Sequence, residues 1–124
     1  MLREIGAYLA TKSIGTVGTD IFLGLMPDQP DNCIALFEYA GSPPDLHWNG
    51  EYPGLQVRVR NKSYAAGRAK IEEVVTELHG AHELTLNGTR YLLIKARGSP
   101  EVLKRDNSNR VELFVNFEII KERE

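Results

Sequence analysis

The sequence predicts an α+β fold: a mostly antiparallel β-sheet with one long helix packed on one face and a short N-terminal helix. Three observations carry that prediction. Between residues 53 and 80 the hydrophobic period changes. Leu55, Val57 and Val59 alternate with Gln56, Arg58 and Arg60, the period of a strand with one apolar face. Ile71, Val74, Val75 and Leu78 then fall at i, i+3, i+4 and i+7, the stripe of a helix. Next, Asn87-Gly88 sits between two alternating segments, a signal for a tight hairpin. Last, Val111, Leu113, Val115, Phe117 and Ile119 share one face of a strand over residues 110–120.

At 124 residues the chain is read as a single domain, 1–124, large enough to bury a core without metal or disulfide. The net charge of -2 gives no electrostatic case for nucleic acid as the main ligand. One cysteine, Cys33, allows no disulfide within the chain and fits a reducing compartment. No apolar run approaches the roughly 20 residues of a membrane span. The opening Met1-Leu2-Arg3-Glu4-Ile5 carries an acid and lacks a continuous apolar core, so no secretory leader is expected. These features point to a protein made and used in the cytoplasm, or one that leaves it by a route other than secretion.

Taken in order, Leu2, Ile5 and Leu9 lie on one face of a helix that ends before Gly15. Residues 13–19 read as a loop. Gly15-Thr16-Val17-Gly18-Thr19 lacks the Gly-Lys-Ser/Thr ending of a phosphate loop. Residues 21–26 are a short apolar strand, stopped by Pro27 and Pro30. Residues 33–39 are nearly all apolar and read as a central strand covered on both faces. A long loop over 41–52 carries Trp48 and Tyr52, at least one of which is expected to fold back. Ser63 is the expected N-cap of the long helix, Tyr64 extends its apolar stripe backwards, and Gly80 suits the left-handed position after its end. Residues 98–109 read as a polar surface loop, less ordered than the sheet and suited to docking. Val102 and Leu103 are its sizeable apolar groups, beside Lys104 and Arg105. On the polar face of the last strand, Phe114 and Ile120 stand among Glu112, Asn116 and Glu118. They are either covered by another element or kept for a neighbour.

Catalytic constellations do not assemble from these residues. His47, His79, His82 and Cys33 lack the convergence of three or four ligands that zinc requires. Glu73 and Glu77 sit on the polar side of the helix, where nothing apolar would raise a carboxyl pKa for acid catalysis. No serine or cysteine lies in a nucleophile-elbow context. The expectation is a protein that is not an enzyme, with no catalytic residue, metal or cofactor. Arg58, Arg60, Lys62 and Arg68 form the basic cluster, able to meet phosphate or the acids of a neighbouring strand or subunit.

Several segments together resemble the minor capsid proteins of tailed bacteriophages that act as tail completion or tail terminator proteins. The resemblance begins with the N-terminal helix and runs through Thr19-Asp20-Ile21-Phe22-Leu23-Gly24-Leu25-Met26, closed by the Pro27–Pro30 corner. It continues in Ile34-Ala35-Leu36-Phe37-Glu38-Tyr39, Gly41 and Pro43. Pro53-Gly54-Leu55-Gln56-Val57-Arg58-Val59-Arg60 is its most characteristic piece, followed by the step into Tyr64, Ala69 and Leu78. Arg105-Asp106, Arg110 and the strand through Asn116 and Phe117 complete it. The resemblance implies a structural protein that completes the tail tube and forms a ring, usually a hexamer, at the head–tail junction. The partners it implies are further copies of the chain, the tail tube protein and the head–tail connector protein, with DNA passing through the ring without sequence-specific binding and no membrane. It also implies a place in the virion, with the host cytoplasm as the site of assembly or of prophage expression. Arg58 and Arg60 match the family's Val-x-Val-Arg strand. With Val102, Leu103, Lys104, Arg105 and Phe114 they are the candidate subunit or partner contacts. Two other classes stay open: a ligand- or nucleic-acid-binding α+β module using Arg58, Arg60, Lys62 and Arg68, and a small hydrolase or metal enzyme using the histidines.

Overall fold

The computed structural model describes all residues, 1–124. Its seven strands form one sheet in the order β1-β2-β3-β7-β5-β4, with β6 also paired to β7. The strands are β1 (Ile21–Leu23), β2 (Cys33–Ser42), β3 (Gly50–Asn61), β4 (His82–Leu86), β5 (Thr89–Ala96), β6 (Glu101–Arg105) and β7 (Val111–Glu122). Only β1 and β2 run parallel; the other pairs are antiparallel. Two helices, α1 (Leu2–Thr11) and α2 (Tyr64–Leu78), cover one face.

The core follows the alternation. Leu55, Val57 and Val59 of β3 and Val111, Leu113, Val115, Phe117 and Ile119 of β7 are buried under Ile5 and Leu9 of α1 and Ile71, Val74 and Leu78 of α2. Each such side chain contributes about 1.5–3 kcal/mol by leaving water. Ser63 caps α2 by accepting from the Ala66 N–H at 3.2 Å. Gly80 takes φ +83° just past the helix end, as a left-handed exit requires. Tyr64 departs from expectation. It is exposed because it is the first residue of α2, a full two turns before the buried Ile71 on the same stripe. The Asn87-Gly88 hairpin forms, with positive φ at both residues.

Three other expectations are corrected. The strand at residues 21–26 stops at Leu23, where Gly24 turns the chain with φ +78°. β2 is covered on both faces only over its first four residues; beyond Leu36 it loses β1 and becomes half-exposed. The long loop at 41–52 shrinks because β2 runs to Ser42 and β3 starts at Gly50. At the bulge there, a Cβ on Gly41 would lie 1.9 Å from the Tyr52 carbonyl oxygen, so no larger residue fits.

The largest correction concerns residues 98–109. They hold a strand, β6, and a tight turn. β5 and β6 are successive pieces of one long arm lying antiparallel to β7, with Tyr91 to Ala96 beside its second half and Glu101 to Arg105 beside its first. Glu101-Val102-Leu103-Lys104-Arg105 has no clean alternation, so the signal is absent from the residues themselves. The unpaired half-edge of β7 supplies the partner.

Candidate assembly interface

The face of the sheet away from the helices is the open one. Arg58 and Arg60 both point there, yet they end in different places. Arg58 is half-buried, donates from Nε to Gln56 Oε1 at 2.7 Å and lies over the Phe37 ring at 4.8 Å. Gln56 in turn donates to Asn116 Oδ1 at 3.0 Å, and Phe114 is the cross-strand partner of Arg58. This makes an aromatic–guanidinium platform with amide neighbours, of the composition that dominates protein interfaces. A shallow depression of about 360 Å³ lies over Phe37, Gln56, Arg58 and Asn116.

Arg60 is buried, with 4% of its surface exposed. Its guanidinium donates to the carbonyls of Pro27 and Pro30 at 2.7 Å each, Asp31 at 3.1 Å and Asp28 at 3.3 Å. The loop over residues 27–31, free of regular structure as its prolines require, has four of its carbonyls satisfied by this one side chain. Arg110, the residue just before β7, completes the tie. It donates to Asp28, Asp31 and Asp106, and pairs with all three carboxylates. Burial works against its charge, but the hydrogen bonds to Asp106, Asp28 and Asp31 outweigh that and raise its pKa. Asp31 is held below the usual carboxylate range by its Lys62 hydrogen bond, with Arg110 adding to it. Asp106 is lowered first by the Arg110 backbone N–H and then by the guanidinium. In the sequence Arg110 stands out only within the family resemblance; Asp106 is near it in the chain, but Asp28 and Asp31 are far away and leave no local pattern.

The Asp106–Arg110 link also fixes β6. The turn closes with Asp106 N–H donating to Arg110 O at 2.9 Å, and Arg68 of α2 donates to the Pro100 carbonyl at 2.8 Å. β6 is thus held at both ends, while all five of its residues are exposed. Val102 and Leu103 are 49% and 42% exposed. Lys104 approaches Glu112 at 3.8 Å, and Arg105 donates only to Asn109. Of the residues singled out in the sequence, Val102, Leu103, Lys104 and Arg105 therefore share one edge, Arg58 and Phe114 share the open face, and Arg60 belongs to the loop anchor.

The polar groups of the β2–β3 loop are engaged within the loop itself. Trp48 donates to the Tyr52 hydroxyl, which donates to Asp45, so both aromatics fold onto their own loop. That leaves Leu46 93% exposed at its tip. His79 Nδ1 accepts from the Ala96 N–H at 2.9 Å, and Cys33 is buried, which pushes its thiol up.

A family profile described as "Bacteriophage tail terminator protein" matches residues 8–123. The chain belongs to the bacteriophage tail terminator family. It is a structural component of the phage tail, and the virion is its destination. No curated protein matches it. Among solved structures, a chain in the "Virion of native gene transfer agent (GTA) particle" is similar in fold. It aligns over 96% of this chain and 84% of that one, with a TM-score of 0.67 and 17% identity.

Proposed function

We propose that this tail terminator closes the tail tube by forming a ring of identical subunits, six in the assembled virion, between the tail tube protein and the head–tail connector protein. DNA passes through the ring without sequence-specific contact. The family membership of residues 8–123 carries the reading. Two features support it: a rigid exposed edge at Val102, Leu103, Lys104 and Arg105, and the platform of Arg58 and Phe114 on the open face. A ring needs two different patches per subunit, since a head-to-tail contact closes only by repeating. The protein acts without catalysis. What supports this is that its candidate reactive groups have structural work: His79 caps, Cys33 is inside, and Glu72 and Glu73 pair within α2. Synthesis and assembly take place in the bacterial host cytoplasm. Electron microscopy of tails made with and without this chain tests the reading. Tails made without it should run to irregular length or fail to join heads. Normal, head-joined tails in its absence would refute it.

A further inference from the structure

β2 has a vacant place beside it. β1 occupies only Ile34 to Leu36, and Gly24 turns the chain away once its N–H has reached the Leu36 carbonyl at 2.8 Å. Past that point β2 has a neighbour on one side only, and Glu38, Ala40, Gly41 and Ser42 are exposed. At the other end of the sheet β6 is also unpaired on its outer side, because β4 pairs with β5 alone. β1 cannot serve as a docking edge in its place. The Ile21 N–H donates to Thr16 O and its carbonyl accepts from the Gly18 N–H, so the edge is already closed by its own loop.

We propose that β6 of one copy adds to the vacant half of β2 on the next copy, as an antiparallel strand. This rests on the ring reading and names the contact that builds it. Directions agree: β1, β2 and β7 run one way and β3 and β6 the other, so subunits related by rotation meet antiparallel at this seam. Lengths agree: the five residues of β6 face the five of β2 from Glu38 to Ser42. Charges agree as well. Glu38 and Arg105 are both exposed, and neither joins any ion pair in the chain. Glu38 pairs with Leu55 and Arg105 with Val111, so both stand on the helix-bearing face. Placing Glu38 opposite Arg105 sets Tyr39 opposite Lys104 on the other face, a cation beside an aromatic ring.

The stagger is compatible with closure. Arg105 lies level with Asn61, one residue below the Arg60–Cys33 pair, and so six residues short of Glu38 along the strand direction. That is a shift of about 20 Å across four strand spacings of about 4.8 Å each. A ring without net rise then needs strands tilted by about 45°, close to the tilt of closed sheets. The ends of β6 are held by Arg68 and by the Asp106–Arg110 turn, so the strand is ordered before it docks, and little conformational entropy is lost on contact.

Paired cysteines test the seam. The double variant Glu38→Cys with Arg105→Cys, allowed to assemble and then oxidised, should run on a non-reducing gel as a ladder beyond the dimer. Each single variant should not, and Cys33 is buried and silent. By charge reversal, Glu38→Arg or Arg105→Glu alone should weaken self-association in sedimentation about tenfold, and the two together should restore it. Assembled rings without a ladder or rescue would overturn the seam while the ring stands. Cross-links to a tail protein in place of a second copy would also overturn it. A parent chain that forms no ring, alone or on tails, would end both readings.

Discussion

Arg58 and Arg60 are two residues apart on one strand, point from the same face and were indistinguishable by pattern. Arg60 lies under the 27–31 loop and satisfies four carbonyls. Arg58 makes no bond to that loop; it is half-buried, over the Phe37 ring and bonded to Gln56. The difference teaches that side-chain direction on a strand is local, whereas burial is set by whatever crosses above it. One arginine became a structural tie and the other a surface group for that reason alone.

Breaking the comparison should give unequal effects. Replacing Arg60 with Ala leaves several part-buried carbonyls without a donor and should cost about 3 kcal/mol in urea unfolding. A loss below about 1 kcal/mol would show that water replaces the guanidinium at little cost. Next in size is the acid response of the Arg110 tie. Asp31 and Asp106 have folded pKa values below their ordinary 3.8. Their stabilisation is therefore fully present above the unfolded value and is lost as pH falls through the folded values. Urea midpoints between about pH 5 and about pH 2 should fall for the parent and fall less steeply for Asp106→Asn, which starts lower. Equal slopes would exclude Asp106 as a source of the acid sensitivity.

Arg58→Ala should cost only about 0.5–1 kcal/mol, the worth of a partly exposed cation–aromatic contact, and should leave the fold unchanged by circular dichroism. A cost equal to that of Arg60→Ala would remove the distinction between the two. Smallest of all, Leu103→Ser on exposed β6 should change stability by less than about 0.5 kcal/mol. Its effect should appear in joining of heads to tails; a stability loss without an assembly defect would make β6 a packing element.

Most of the secondary structure was legible because its causes are local. Alternation in β3 and β7, the helical stripe of Ile71, Val74 and Leu78, the Ser63 cap and the Asn87-Gly88 turn each lie within a few residues of one another. The candidate contacts were legible only as residue types. That Val102 to Arg105 form a paired edge, that Arg60 is an anchor and that Arg110 joins Asp106 to Asp28 and Asp31 all depend on how separate segments come together in the fold.

The sequence by itself determined which faces are apolar, where helices start and turns occur, and that the chain is α+β. Side-chain period and capping act over a turn or two, so the residues carry that information directly. Only the tertiary structure decided the strand order, the length of β1 and the strand inside residues 98–109. Backbone pairing is open to any chain that reaches a free edge, and β7 offered one half-edge to β5 and left the other for β6. The same reason leaves the upper half of β2 without a neighbour in a single copy.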